Sequence, residues 1–468
     1  PPSLRDAPVF IHRDAGRYDG AYYAQIATSP ALRDPALVEA VDDLGYRARR
    51  ILLSGVAWML AGGEAVAAVH VYAWLNPLLW LLLVWQAWRL FPVGDARTLC
   101  AWVGIVLASG TLASVRLALT DLAALVLLTA TLVQAERGKP APAAALLGLA
   151  GLARETALLG AAALCPQRGD GLRPWLRWAF WMAVAAGPLA CWLVYLWRAT
   201  GSSGTGSSNF AVPLAGWLGR AGELWRSTGV EANRALLTGA WLDYLAVTAQ
   251  MLYVFTHAQR KDAWWKLGFV YALLGLCLGH AVWEGLPGAA SRLLLPLTLA
   301  FNVIASRRRA AWVWLILGNL SVVSGVWALL GPPGAPHTLT SRDAGESSYV
   351  LETDARWSVA EWNRKWRWSW SEGEGGVSFR IWPHRPHVRV ELQVRGITPR
   401  ELEVRHAGVT VWQGRIGDRP RWITLPELPM IRGRLDLELR SETPATQEGV
   451  DNTARGISFA CFGARLVE

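Results

Sequence analysis

Two stretches near the start of the chain gather the side chains best suited to chemistry. The first reads Arg17-Tyr18-Asp19-Gly20-Ala21-Tyr22-Tyr23-Ala24-Gln25-Ile26-Ala27. The second reads Asp42-Asp43-Leu44-Gly45-Tyr46-Arg47-Ala48-Arg49-Arg50-Ile51-Leu52. A carboxylate such as Asp19 or Asp43 can take a proton from a sugar hydroxyl. Rings such as Tyr22 and Tyr23 can stack on the flat face of a sugar. Guanidinium groups such as Arg47 and Arg50 can hold a phosphate with two parallel hydrogen bonds. The same residues also fit a solvated amphipathic segment whose arginines meet lipid headgroups, and Asp19 before Gly20 fits a simple turn.

Further ionisable groups lie in or beside apolar segments, where they are costly and often functional. Asp121 opens one such segment, which also suits a helix cap or a dipole partner. Arg154 and Glu155 interrupt another, which also suits ion pairing with neighbouring segments. Arg292 stands near the start of a third. Arg116, His280 and Glu284 fit an interfacial position. His280 has no second ligand at metal spacing, and the five cysteines show neither a metal nor a disulfide pattern. No glycine-rich phosphate loop follows a strand and no Gly-x-Ser-x-Gly occurs, which argues against a cytoplasmic nucleotide-sugar enzyme.

The elements that must position these groups follow from hydropathy. Of 468 residues, 53% are hydrophobic. Between Ile51 and Leu330, apolar runs close to membrane length alternate with short basic loops, and beyond Gly331 such runs stop. Spans are expected at 65–89, 99–117, 119–135, 177–197, 240–257, 266–283, 291–305 and 310–331. Ile51–Leu60 is too short to span and suits the interface. Many of the 28 tryptophans cluster at segment ends, as indole rings do at headgroup level.

The net charge of +10 falls almost wholly before residue 341. With residues 1–50 outside and 142–165 as a re-entrant hairpin, the basic loops near 89–97, 137–139, 168–177, 260–266 and 307–309 all fall inside. The C-terminal domain is then extracytoplasmic. Nucleic-acid binding would need a basic face on a soluble domain, and none is evident. The chain begins Pro1-Pro2, and an upstream transmembrane helix is expected before it. The loop from Arg198 to Ala240 starts rich in Gly and Ser, and suits either a substrate lid or a flexible connector.

Residues 340–468 alternate in strand fashion at Val388–Val394, Leu402–Arg405, Val409–Gln413 and Leu435–Leu439, with a turn at Gly408. This predicts a β-sandwich or jelly roll. Trp366, Trp368 and Trp370 share one face of a strand, as a sugar-binding platform or as core. The fold class is therefore a polytopic α-helical membrane protein with a C-terminal all-β domain. Three parts are expected: an outer loop over 1–50, a transmembrane domain over 51–331, and a β domain over 340–468.

Taken in order, these motifs resemble the GT-C superfamily of bacterial membrane glycosyltransferases, which use polyprenyl-phosphate sugars. The resemblance is carried by Tyr18-Asp19-Gly20-x-Tyr22-Tyr23-x-x-Ile26-Ala27 and by Asp43-x-x-Tyr46-Arg47-x-x-Arg50-Ile51-Leu52. It extends to Thr120-Asp121-Leu122, Leu152-Ala153-Arg154-Glu155-Thr156 and Ala290-Ser291-Arg292-Leu293-Leu294-Leu295-Pro296. It covers about the first 330 residues. It implies that Asp19 is the base of an inverting transfer, with Asp43 the second choice. Arg47, Arg50 and Arg292 would stabilise charge on the departing phosphate, and Tyr22, Tyr23, Asp121, Arg154 and Glu155 would line the substrate site. The implied partners are a polyprenyl-phosphate-linked sugar donor, a glycan or lipid acceptor, and the lipid of a bacterial inner membrane. The resemblance fixes no cofactor, and a role for a divalent metal stays open. Two rivals remain: a transporter or flippase of lipid-linked sugars, and a non-catalytic membrane-anchored carbohydrate-binding protein.

Overall fold

The computed structural model describes residues 19–330, except 93, 168, 202–205, 207–208, 229–233 and 285–288. It also describes residues 348–467, except 355, 359–360, 363–366, 383–384, 432 and 449–454. The expectation of an upstream helix, and Trp366, lie outside the described residues. The chain divides into a helical unit and a β unit at residues 332–333.

The helical unit opens with short helices in the polar leader: α1 (Asp19–Ile26), α2 (Ala36–Ala40), α3 (Leu44–Arg47) and α4 (Leu52–Leu60). Then come α5 (Ala65–Leu90), α6 (Ala96–Val106), α7 (Ser109–Arg116), α8 (Asp121–Glu136) and α9 (Pro140–Ala153). A 3-10 segment, Glu155–Leu164, leads to α10 (Leu172–Thr200), α11 (Ala215–Ser227), α12 (Arg234–Thr256), α13 (Ala263–Cys277) and α14 (His280–Glu284). The unit ends with α15 (Ala289–Leu293), α16 (Leu295–Ser306), α17 (Trp312–Gly318) and α18 (Ser321–Leu330). Local chemistry sets several starts. The carboxylates of Glu64, Asp95 and Asp262 accept from the first free amides of α5, α6 and α13. Gly201, at φ +70°, closes α10 in the left-handed region.

Among the described residues, three stretches are long and apolar enough to cross a membrane: Ala65–Leu90, Ala96–Arg116 and Leu172–Thr200. The pair Arg309–Gly318 and Ser321–Leu329, bent by 41° at Asn319, makes a fourth if counted as one span. Eight spans were expected, so the expectation is met only in part. The stretch 119–135 yields a helix of 16 residues, 266–283 one of 15 followed by a short turn of helix, and 291–305 one of 12 after a break at Leu294. Burial inside the protein accounts for their apolarity as well. Every residue of α16 is buried, as is most of α8, and a core helix apolar on all sides reads like a span.

At Arg154 the backbone becomes extended and the chain folds back on itself. A Cβ placed on Gly160 would lie 3.4 Å from Leu147, thirteen residues earlier, so the two arms run side by side. In the returning arm the buried residues are Ala157, Gly160 and Ala163, a period of three that matches 3-10 geometry. The loop after α10 is partly helical, since α11 occupies 215–227. Residues 209–214 are tied down by main-chain bonds: Gly279 N to Asn209 O, Ala211 N to Cys277 O and Leu214 N to Leu276 O.

The β unit is a two-sheet sandwich. Its strands are β1 (Ser348–Thr353), β2 (Glu361–Trp362), β3 (Arg367–Ser371), β4 (Glu374–Trp382), β5 (His387–Gly396), β6 (Arg400–His406) and β7 (Val409–Ile416). They continue as β8 (Arg421–Thr424), β9 (Leu428–Pro429), β10 (Arg434–Arg440), β11 (Thr446–Glu448), β12 (Arg455–Ile457) and β13 (Phe459–Val467). One sheet runs β1-β4-β10-β6-β7 and the other β2-β3-β13-β5-β8, with β9 also on β5 and β11 paired to β12. Val377, Phe379, Leu402, Val404 and Leu437 of the first sheet face Val390, Leu392, Phe459 and Cys461 of the second. Between β6 and β7 both turn residues, Ala407 and Gly408, have positive φ, as a two-residue hairpin demands.

Candidate functional site

The leader helices bring the acidic and basic groups of the first two motifs together. Asp19 begins α1, and its carboxylate pairs with Arg47 at 2.7 Å. Arg47, at the end of α3, also binds Asp42 with two bonds, Nε to Oδ1 at 3.0 Å and Nη2 to Oδ2 at 2.8 Å. Its guanidinium lies 5.0 Å from the ring centre of Tyr22 and 5.3 Å from that of Tyr46. The bond from Arg47 holds the Asp42 carboxyl below the usual carboxylate range, against the opposing effect of partial burial. Burial by itself would lower the Arg47 pKa, but the bonds to Asp42 and the charge of Asp19 outweigh it and raise it.

Arg50 lies deeper. It donates to Glu155 Oε2 at 3.2 Å, to the Tyr23 hydroxyl at 2.8 Å and to the Tyr46 hydroxyl at 3.1 Å. Tyr46 thus lies between two guanidinium groups, Arg50 being 5.1 Å from its ring centre. Tyr23 is buried, which pushes its hydroxyl pKa up, while the Arg50 charge pulls the other way. Asn209, from the segment after α10, donates to the Tyr46 hydroxyl at 3.1 Å.

The fold-back at residue 154 joins this cluster to the helix ends. Glu155 pairs with Arg49 and Arg50, each at 3.2 Å. Its neighbour Arg154 pairs with Asp121 in the first turn of α8, and Arg292 of α15 approaches the other oxygen of Asp121 at 3.5 Å. A narrow cleft of about 10 Å³ is lined by Asp121, Arg154, Thr156, Tyr271 and Arg292, with Leu293 and Pro296. Asp19 is not among its lining residues.

The sequence motifs therefore converge into one ionic network. It holds Asp19, Tyr22, Tyr23, Arg47, Arg50, Asp121, Arg154, Glu155 and Arg292. Asp43 stands apart: its side chain accepts from Tyr46 N at 2.8 Å and caps α3. Asp121 is not a cap, because Thr120 holds that position and its carboxylate is spent on two arginines. His280 pairs with Glu223 at 2.9 Å, and Arg116 donates to Ala328 O. Sequence reasoning missed Asp42, Tyr46, Arg49 and Asn209 as members. Neither the five-residue step from Asp42 to Arg47 nor Asn209 gave a periodic signal. Among the described residues no group of three His, Cys, Asp or Glu side chains is arranged to hold a metal ion. No protein-family model matches the chain, and no curated protein matches it.

Proposed function

We propose that the helical unit is an inverting glycosyltransferase of the GT-C kind. It would move a sugar from a polyprenyl-phosphate donor to a glycan or lipid acceptor at the outer face of a bacterial inner membrane. The observation that carries this reading is the Asp19–Arg47 pair. Its carboxylate is 29% exposed, so an acceptor hydroxyl can reach it, while the paired guanidinium fixes its direction. In this reading Asp19 takes the hydroxyl proton as that oxygen bonds to the anomeric carbon, and the bond to the phosphate oxygen breaks with inversion. The phosphate carries its charge away, so donors matter more than an acid. Arg47 and Arg50 are near at hand, and Arg292 lies further along the network. Each already faces a carboxylate, so an arriving phosphate exchanges with Asp or Glu oxygens.

The test uses membranes holding wild type or Asp19→Asn, supplied with radiolabelled polyprenyl-phosphate sugars. Transfer falls about a hundredfold or more in the variant at equal protein level. Full transfer by the variant removes the base assignment. The topology has its own check. A reporter fused after Glu468 is expected to report from outside the cytoplasm, and cytoplasmic signal would overturn the orientation.

One observation favours the transporter reading. A buried polar cluster sits at the break between α17 and α18. Asn302 and Asn319 exchange amide bonds at 3.0 and 2.8 Å, and Gln250 binds Gly318 O and Thr298. Broken helices with polar residues at the break are a transporter trait. Translocation of a fluorescent lipid-linked sugar by proteoliposomes, without any transfer, would favour it.

A further inference from the structure

The segment that leads into α11, and α11 itself, turn large apolar side chains outward. Val212 is 76% exposed, Leu218 55% and Trp225 76%, and Phe210 and Leu214 are exposed as well. The opposite pull on α11 comes from α12. Trp217 Nε1 donates to the Thr248 hydroxyl at 3.0 Å, and Thr228, just past α11, accepts from Trp241 Nε1 at 3.4 Å. α11 therefore runs antiparallel along the first half of α12. In turn α12 is joined to α18 through Asp243 and Ser324, and to α17 through Gln250 and the Gly318 carbonyl. Those two helices are the bent pair that together suit a membrane crossing. α11 thus lies one helix away from such a crossing.

Helical spacing gives α11 three sides. Gly216 and Leu224 are buried, and with Trp217 they form the side held by the protein. Leu218 and Trp225, seven residues apart, share a second line along the helix. Arg220, Glu223 and Ser227, at steps of three and four, lie opposite that line, and Arg226 stands at the border between the two. Among the described residues Arg220, Glu223, Arg226 and Ser227 line a cleft of about 460 Å³. Glu223 is already engaged, by Arg220 at 3.3 Å and by His280 at 2.9 Å. Arg226 donates from Nε to Gly222 O at 3.2 Å, and among the described residues no carboxylate pairs with it.

We infer that α11 seats in one leaflet of the membrane and holds an anionic phospholipid there. The line of Leu218 and Trp225 enters the acyl boundary, with the indole at headgroup level. The phosphate lies in the cleft, where Arg226 and Arg220 offer guanidinium donors and Ser227 a hydroxyl. Charge selects the occupant. A cation without a carboxylate, beside an apolar strip on the same short helix, matches a molecule with a phosphate at one end and hydrocarbon at the other. The inference does not depend on any transfer of sugar.

The test uses the full-length protein in vesicles of mixed phosphatidylglycerol and phosphatidylcholine. A benzophenone amino acid replaces Trp225, and in a control Val409, which is 66% exposed on the β unit. After irradiation the mass of each labelled peptide shows what has been attached. Lipid is attached at position 225 and not at 409, and phosphatidylglycerol is enriched about fivefold over its share of the bilayer. Arg226→Gln returns the attached lipid to the bulk ratio, with thermal unfolding unchanged because Arg226 is exposed. Four results would each overturn the inference: attachment of protein in place of lipid at 225, equal lipid at 225 and 409, no enrichment, or enrichment that survives Arg226→Gln. Loss of the enrichment on adding inorganic phosphate, but not chloride of equal ionic strength, would assign the cleft to a free anion and overturn it too.

Discussion

Asp121→Asn is expected to lower stability by about 3–5 kcal/mol. The Asp121 side chain is only 3% exposed, and it stands between Arg154 at 14% and Arg292 at 6%. Asparagine keeps the size and shape, so packing is preserved and the change is electrostatic. Two guanidinium groups in a poorly solvated place then lose the carboxylate they share. That is the costly way to open a buried ionic group, since the desolvation of the survivors is no longer offset. Removing all three charges at once should cost less. The triple variant Asp121→Leu, Arg154→Leu, Arg292→Met is expected to unfold at a higher temperature than Asp121→Asn alone. Thermal unfolding of the detergent-purified protein measures both. A melting point for Asp121→Asn equal to that of wild type would mean that the arginines find other partners or water.

Gly20→Val should be as severe for a steric reason. A Cβ on Gly20 would lie 1.9 Å from the carbonyl oxygen of Leu117 and 3.1 Å from that of Ala118. Both are main-chain atoms in the tight link before α8, where Ala118 has φ +51° and its carbonyl accepts from the Tyr72 hydroxyl at 2.9 Å. The link cannot yield, so α1 must move away. The neighbouring residue is Asp19, whose bond to Arg47 would be lost, and Tyr22 and Tyr23 would leave their buried sites. The expected loss is about 3 kcal/mol or more, the upper range for overpacking. Gly20→Ala should fall between Val and wild type, and a melting series across the three residues measures the trend. Equal melting points would show that α1 is free to shift.

How much could be read beforehand follows from the range of each interaction. Period-two alternation is local, so Val388–Val394 and Leu435–Leu439 were legible as strands, and Gly408 as their kind of turn. Long apolar helices such as α5 and α10 were legible too. The expected spans at α8 and α16 came out as helices of 16 and 12 residues, where burial in protein and burial in lipid select the same residues. The site showed the same divide. Asp19, Arg47 and Arg50 stood out by type and spacing within one short stretch. That Arg50 is bonded to Glu155, 105 positions away, was set by the fold-back at Arg154, which the sequence marked only as a charged interruption. The helix at 215–227 was hidden behind a Gly- and Ser-rich start, although Trp217 and Leu224 lie one helical face apart and pack inward.

The main-chain tie between residues 209–214 and 276–279 has a consequence for ionic strength. Exposed pairs such as Asp42 with Arg47 weaken as added salt shortens the reach of charge. Bonds between peptide groups do not respond in that way. Asn209 holds the Tyr46 hydroxyl from one end of the tie, and α13 at its other end holds the Thr156 carbonyl through Tyr271 at 2.8 Å. Concentrated electrolyte should therefore soften the rim of this network while Tyr46 and the Arg154 fold-back stay in register.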